Sequence, residues 1–163
     1  GGLRRWLQLG LPTTTDPMPL RAAGDFAARP DAGAHVDADM TAAAALDPQR
    51  RVLDARAAER YRGEVEPIDP VAGHVPGALN HPSSGVVNAD GCFLPPAALA
   101  SAFSQTLGPV APADTITMCG SGVTACHLLL AMEHAGLPGA RLYPGSWSEW
   151  SRDPARRVAR GGG

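Results

Sequence analysis

The residue best placed to do chemistry in this sequence is Cys119. A β-branched run, residues 115–118, ends at this cysteine and predicts a short buried strand. An apolar pattern with helical spacing follows Gly120 and Gly122, and it consists of Val123, Cys126, Leu129 and Leu130. Because ligands of open α/β sheets bind beyond the carboxyl ends of the strands, Cys119 is predicted to lie where a substrate would bind.

The loop after Cys119 is predicted to bind an anion or a charged sulfur through Gly120, Ser121, Gly122, Val123 and Thr124. Successive backbone N–H groups in such a loop can point at one centre, and the start of a helix adds partial positive charge. Both effects stabilise a thiolate, which is the nucleophilic form of cysteine. The hydroxyls of Ser121 and Thr124 can donate to the sulfur, or Thr124 can cap the helix. The alternative is a buried structural cysteine, but the glycine loop and the helix start favour the nucleophile.

Composition and spacing exclude several classes of protein. A cysteine phosphatase needs Arg six residues after its nucleophile to bind phosphate, and here that position is Ala125. The net charge of -2 and the lack of a run of about 20 apolar residues give no reason to expect nucleic acid or membrane as a partner. Cys92, Cys119 and Cys126 form no CxxC pair, and no metal or cofactor motif is present. Three cysteines fit a reducing cytoplasm better than a disulfide framework.

Strands alternate with helices along the chain, which predicts an α/β fold with a parallel sheet and helices on both faces. The predicted helices and helical turns are 41–47 with Thr41 as N-cap, 57–61, 95–107, 122–135 closed by Gly136, and a short one from Ser146. The predicted strands are 51–55, the end of 73–80, 115–118 and 140–144, and a tight turn is predicted at 88–91.

Four motifs together resemble the rhodanese (sulfurtransferase) family. They are VLDARAAERYRG, GHVPGALN, MCGSGVTACH and YPGSWSEW, in the order and roughly the spacing of the family. The loop CGSGVT is similar to that of the members that use 3-mercaptopyruvate, whereas those that use thiosulfate usually carry a more basic loop. The resemblance covers about residues 35–155 and implies the rhodanese-like α/β fold.

The resemblance implies persulfide chemistry at Cys119. The Cys119 thiolate would take the sulfur of 3-mercaptopyruvate, and a thiol such as thioredoxin or glutathione, or cyanide, would then accept it. Ser121 would relay a proton or donate a hydrogen bond, and Arg60 would bind the substrate carboxylate, a role that suits guanidinium geometry. The alternative for Arg60 is a surface salt bridge with Glu59 or Glu64. Thiosulfate as donor, and a non-catalytic module that binds a partner or carries sulfur, stay open as alternatives.

The resemblance also implies a domain organisation. Residues 1–12 look like the tail of a preceding rhodanese domain, because GGLRRW at the start aligns without gaps with GSWSEW at 145–150. Residues 13–34 are predicted to be a linker, 35–155 the catalytic domain and 156–163 a flexible tail. One departure concerns the substrate: some members carry a second carboxylate-binding arginine where this chain has Ile68.

The remaining candidates are predicted to be structural. His74 is expected to be a hydrogen-bonded scaffold residue, and His127 and His134 lack the spacing of a helical metal pair. Asp54 is expected to order the turn that leads to Arg60. Cys126 is predicted to be a small core residue, with a resolving cysteine as the minor alternative. Cys92 is expected to be an exposed residue with no specific role. The side chains of Trp147 and Trp150 are expected to serve packing rather than chemistry.

Overall fold

A parallel sheet forms the centre of the structure, a computed structural model that describes residues 1–19 and 22–162. In these residues the sheet has four strands in the order β2-β1-β3-β4. Their bounds are Arg51–Asp54 (β1), Leu79–Asn80 (β2), Thr115–Met118 (β3) and Arg141–Leu142 (β4). The helices are Gly2–Gln8 (α1), Ala38–Leu46 (α2), Ala58–Tyr61 (α3), Pro96–Leu107 (α4), Val123–His134 (α5) and Ser146–Trp150 (α6).

The register of the two central strands brings their carboxyl ends together. Asp54 of β1 lies opposite Met118 of β3, and Ala55 donates its backbone N–H to the Met118 carbonyl at 2.8 Å. Cys119 therefore follows β3 at the carboxyl end of the sheet, where β1 also ends. This is the position that the sequence predicts for a ligand site.

Helices cover both faces of the sheet, which confirms the predicted α/β fold. On one face Val52, Ile116 and Met118 pack with residues of α2 and α6. On the other face Leu53 and Cys119 pack with residues of α4 and α5. Because successive side chains of a strand point to opposite faces, one apolar strand supplies both cores.

Two details of the helices differ from the prediction. Helix α2 begins at Ala38 and is capped by Asp37, whose carboxylate accepts the Met40 N–H at 2.8 Å, so the prediction of Thr41 as N-cap is wrong. Helix α5 turns Val123 and Leu130 outward, 73% and 58% exposed, and it buries Ala125, Leu128, Ala131 and Met132 instead. Small side chains on the inner face let α5 pack closely on the sheet, and Cys126 is left exposed rather than in the core.

The amino-terminal residues contact the domain at the turn 88–92. The Gly1 amine donates to the Gly91 carbonyl at 2.6 Å, and Arg4 donates to the Ala89 carbonyl at 2.9 Å. Residues 13–19 and 22–34 contain no helix or strand, whereas Leu20 and Arg21 lie outside the described residues. The division into a domain tail at 1–12 and a linker at 13–34 stays a prediction.

The residues after α6 bond back onto the domain. The backbones of Ala159 and His74 exchange two hydrogen bonds of 2.9 Å, and Gly161 donates to the Arg62 carbonyl at 2.9 Å. Residues 156–162, where a flexible tail was expected, are thus hydrogen-bonded to the domain. Gly163 lies outside the described residues. In the described part of the chain, no helix has the length and apolarity that a membrane span requires.

Candidate active site

The backbone of Cys119 and Gly120 is held by hydrogen bonds to the start of α6. Cys119 is a free cysteine and only 1% exposed. Its N–H donates to the Ser146 hydroxyl at 3.0 Å, and its carbonyl accepts the Trp147 N–H at 3.0 Å. The next carbonyl, that of Gly120, accepts the Ser148 N–H at 2.8 Å. Residues 146–148 therefore hold the nucleophile candidate in one place.

The loop after Cys119 leaves its backbone N–H groups unused. Within residues 1–19 and 22–162, the N–H groups of residues 120–124 donate to no protein acceptor. Gly122 takes φ 83° immediately before α5, and a Cβ there would lie 2.6 Å from the Pro144 carbonyl oxygen, so only glycine fits. Thr124 makes no capping hydrogen bond to α5. Free amides at a helix start can hold a thiolate or another anion.

A cavity of about 320 Å³ opens beside the thiol. It is lined by Ala55, Arg56, Ala57, Arg60, Ile68, Asp69, Ser83, Cys119, Gly120, Ser121, Thr124 and Ser148. Ser121 and Thr124 are exposed, and in the described part of the chain their hydroxyls have no hydrogen-bond partner. A larger cavity of about 440 Å³ borders Arg51, at the opposite end of β1, and has no cysteine in its wall. Nucleophilic chemistry therefore belongs to the smaller cavity.

Arg60, on α3, brings a positive charge to the cavity wall. Its Nη2 donates to Glu66 at 2.6 Å and lies 3.4 Å from an Asp69 oxygen. The alternative of a surface salt bridge with Glu59 or Glu64 is not observed, since Arg60 pairs with Glu66 and Asp69 and Glu64 pairs with Arg62 in the described residues. In the residues described, Nη1 of Arg60 has no acceptor, and it lies 3.5 Å from the point where a Cβ on Gly120 would stand. That edge of the guanidinium faces the cysteine loop and is free to bind a carboxylate.

A buried ion-pair network supports Arg60 from behind. Arg56 donates from Nε to Oδ1 of Asp54 at 3.1 Å and from Nη2 to Oδ2 at 2.6 Å. Its Nη1 donates to Glu66 at 3.3 Å. The Arg56 guanidinium lies 4.7 Å from the centre of the Trp147 ring. Asp54 also accepts the Arg56 N–H at 3.0 Å, which confirms that it orders this turn.

The two acids that contact Arg60 differ in how well their hydrogen bonds are satisfied. Burial alone would raise the pKa of Glu66, but the hydrogen bond from Arg60 and those from the N–H groups of Asp69 and Ile68 lower it below its usual range. Among the described residues the Asp69 carboxylate, with its side chain 1% exposed, has only the 3.4 Å contact to Arg60, and its Oδ1 has no partner. Arg56 and Asp69 are not predicted as site residues from the sequence, although the spacing of charged residues from 54 to 69 is a signal that points to them.

Three histidines outside the cavity wall make stacking contacts. His74 contacts the Tyr61 carbonyl at 2.8 Å through Nδ1 and stacks on the Tyr61 ring at 3.8 Å, as expected of a scaffold residue. Burial lowers the pKa of His74. His127 and His134 both stack on Phe93, at 4.7 Å and 5.9 Å between ring centres.

Comparison with curated proteins identifies relatives of the chain. A probable 3-mercaptopyruvate sulfurtransferase of Pseudomonas aeruginosa is 50% identical over 99% of this chain and 56% of its own length. Human 3-mercaptopyruvate sulfurtransferase is 35% identical over 92% of this chain and 50% of its own length. Rat thiosulfate sulfurtransferase is 32% identical over 99% of this chain and 55% of its own length. The chain thus spans about half the length of these relatives.

Comparison with solved structures supports the same fold. An anaerobic ergothioneine biosynthesis enzyme from Chlorobium limicola, solved with trimethyl histidine, superimposes with a TM-score of 0.84 over 98% of this chain and 40% of its own. At 22% identity this likeness concerns the fold alone. Residues 38–153 match the model of the family described as Rhodanese-like domain. The chain therefore belongs to the rhodanese family.

Proposed function

We propose that this chain is the catalytic domain of a sulfurtransferase that moves a sulfane sulfur from 3-mercaptopyruvate, through a persulfide on Cys119, to a thiol or cyanide. The observation that carries the proposal is that Cys119 and Arg60 line the same cavity. The cysteine supplies a nucleophile for sulfur, and the free Nη1 of Arg60 supplies a cation for the donor carboxylate. The relatives from Pseudomonas aeruginosa and human support the choice of donor.

In the proposed reaction the Cys119 thiolate attacks the sulfur of the donor, the carbon–sulfur bond breaks, and pyruvate leaves. The unused N–H groups of residues 120–124 hold the negative charge of the persulfide. Ser121 donates a hydrogen bond to the reacting sulfur, or relays a proton to it, through its unpaired hydroxyl. A second thiol or cyanide then removes the outer sulfur.

Thiosulfate is the second candidate donor, and rat thiosulfate sulfurtransferase supports it. The charges around the cavity favour mercaptopyruvate over thiosulfate. Arg56 and Arg60 form ion pairs with three carboxylates, those of Asp54, Glu66 and Asp69. A cluster with more acids than bases accepts a monoanion with less repulsion than a dianion.

Partners and compartment complete the proposal. Thioredoxin and glutathione are the proposed thiol acceptors, and the reducing cytoplasm is the proposed compartment because all three cysteines are free. A preceding rhodanese domain is the proposed neighbour. Helices α1 and α6 support such a repeat, because each begins directly after the first glycine of its aligned hexapeptide. The indole N–H of Trp6 donates to the Pro12 carbonyl, and that of Trp150 donates in the same way to the Arg157 carbonyl.

The test is peptide mass spectrometry of the chain after separate incubation with 3-mercaptopyruvate and thiosulfate. We expect one added sulfur on Cys119, formed faster from mercaptopyruvate. Cys126→Ser is the matched control, since that thiol is exposed and outside the cavity wall, and it should form the persulfide normally. No added sulfur from either donor in folded protein would reject catalysis by this chain alone and favour a binding or carrier module. Repeating the incubation with the full-length gene product would then distinguish such a module from a domain that needs its neighbour.

A further inference from the structure

Asp69 lies in the wall of the cavity and is less restrained than Glu66, the other acid that contacts Arg60. The Glu66 carboxylate accepts hydrogen bonds from Arg56, from Arg60 and from the N–H groups of Ile68 and Asp69. The Asp69 carboxylate has one long contact of 3.4 Å and one buried oxygen with no partner in the described residues. A buried carboxylate in this condition gains stability when a donor group or a proton reaches it.

The position of Asp69 couples it to the donor. Asp69 contacts Arg60 at Nη2, whereas the proposed site for the donor carboxylate is Nη1 of the same guanidinium. Because Arg60 already contacts Glu66 and Asp69, donor binding places a third carboxylate on one cation. Neighbouring like charges favour protonation of one member of such a group.

From this juxtaposition we propose that Asp69 is a catalytic residue that exchanges a proton with the sulfur donor. The inference rests on the proposed function, because it assigns the proton transfer in the reaction of 3-mercaptopyruvate at Cys119. Asp69 takes the proton of the donor S–H as Cys119 attacks, and it returns that proton to the methylene carbon of the leaving enolate.

The step balances without a further reactant. A sulfur–sulfur bond forms between Cys119 and the donor sulfur, and the carbon–sulfur bond breaks. Its electron pair goes to the enolate, and the proton converts the enolate into pyruvate. The donor sulfur is oxidised to the sulfane level and the carbon is reduced to a methyl group. Thiosulfate needs no such proton, because it leaves as sulfite.

The experiment compares the two donors in one variant. Asp69→Asn keeps the shape of the side chain and removes its ability to exchange a proton. Persulfide formation from 3-mercaptopyruvate should slow by roughly 100-fold or more, the usual contribution of a general acid–base group. Formation from thiosulfate should stay unchanged or become faster, since a negative charge has been removed. Asp69→Glu, which keeps a carboxylate, should recover much of the mercaptopyruvate rate. Asp114→Asn, at an exposed residue just before β3, should change neither rate.

The ratio of the two rates decides the result. Equal slowing with both donors would overturn the proposal, because it would mean that Asp69 acts only by holding Arg60. An unchanged mercaptopyruvate rate would overturn it as well. Because both donors are tested on the same sample, partial loss of folded protein leaves the ratio intact, and Asp69→Ser gives the same comparison if Asp69→Asn does not fold. A wild-type chain that gains sulfur from neither donor would instead reject the proposed function itself.

Discussion

The hydroxyl of Ser146 accepts a hydrogen bond from the backbone N–H of Cys119 at 3.0 Å and donates one to the Tyr143 carbonyl at 2.9 Å. Ser146 is fully buried and has a φ of 53°, in the left-handed region that non-glycine residues rarely adopt. A strained backbone at this position is stabilised by the contacts that it makes. One serine thus connects the end of β4 to the nucleophile candidate.

Removing this hydroxyl should loosen the cysteine loop. Ser146→Ala leaves the buried Cys119 N–H without an acceptor, which should lower the free energy of unfolding by about 1–3 kcal/mol and slow persulfide formation. Ser146→Gly loses the same hydroxyl but relieves the positive φ, so it should be more stable than Ser146→Ala by about 1 kcal/mol. Urea unfolding of both variants measures the difference. A Ser146→Ala protein as stable as the wild type would show that this hydrogen bond contributes nothing.

The sequence predicts the elements around Cys119 better than it predicts their contacts. Residues 115–118, three of them β-branched, form β3 as predicted, because their pattern is local. The inner face of α5 is not predictable in the same way, since Ala125 and Ala131 carry little hydrophobic signal and yet lie inside. The contact of Ser146 with Cys119 spans 27 residues and depends on how α6 packs, which no local pattern records.

Arg60 should control the affinity for the sulfur donor. Arg60→Ala removes a charge-assisted hydrogen bond worth about 1.5–3 kcal/mol, so the KM for 3-mercaptopyruvate should rise roughly 10- to 100-fold. The KM for cyanide, which has no carboxylate, should change much less. Arg62→Ala is the matched control, because Arg62 is a nearby arginine that pairs with the exposed Glu64. Steady-state kinetics with both substrates checks this, and an equal rise in both KM values would reject the carboxylate role.

The ion pair behind Arg60 should matter for folding. Asp54→Asn leaves the buried Arg56 guanidinium short of a countercharge, and breaking one side of a buried pair costs about 3–5 kcal/mol. The exposed pair of Arg62 with Glu64 offers the comparison, and Glu64→Gln should leave the urea midpoint almost unchanged. If both substitutions shift the midpoint equally, burial does not decide the contribution of these pairs.

The free energy of unfolding should decrease as the pH is lowered, and His81 should account for part of that decrease. Burial lowers the pKa of His81 in the folded protein, where its ring stacks on Phe103 at 4.6 Å. Below the ordinary pKa of about 6.5 the unfolded chain binds a proton that the folded chain does not, so the unfolding free energy decreases as pH falls. The stabilisation is complete above that value and is lost as pH drops toward the folded pKa.

His81→Asn should therefore show a shallower decline in unfolding free energy than the wild type between about pH 7.5 and 5.5. The comparison uses the slope and not the absolute stability, because His81→Asn also loses the stacking on Phe103. Identical slopes in the two proteins would remove His81 from the acid response.

Gly122 should be intolerant of any side chain because two costs add there. Its φ of 83° strains an L-residue by about 1–2 kcal/mol, and a Cβ would lie 2.6 Å from the Pro144 carbonyl oxygen, which belongs to the backbone and cannot turn away. Gly136, after the end of α5, has a similar φ of 74° but open space around its Cβ position. Gly136→Ala should therefore show only the strain, whereas Gly122→Ala should be more destabilised and should also lose persulfide formation as the loop shifts. Urea unfolding and mass spectrometry of the two variants separate the clash from the strain. Equal losses of unfolding free energy in both variants would mean that the loop accommodates the extra methyl group.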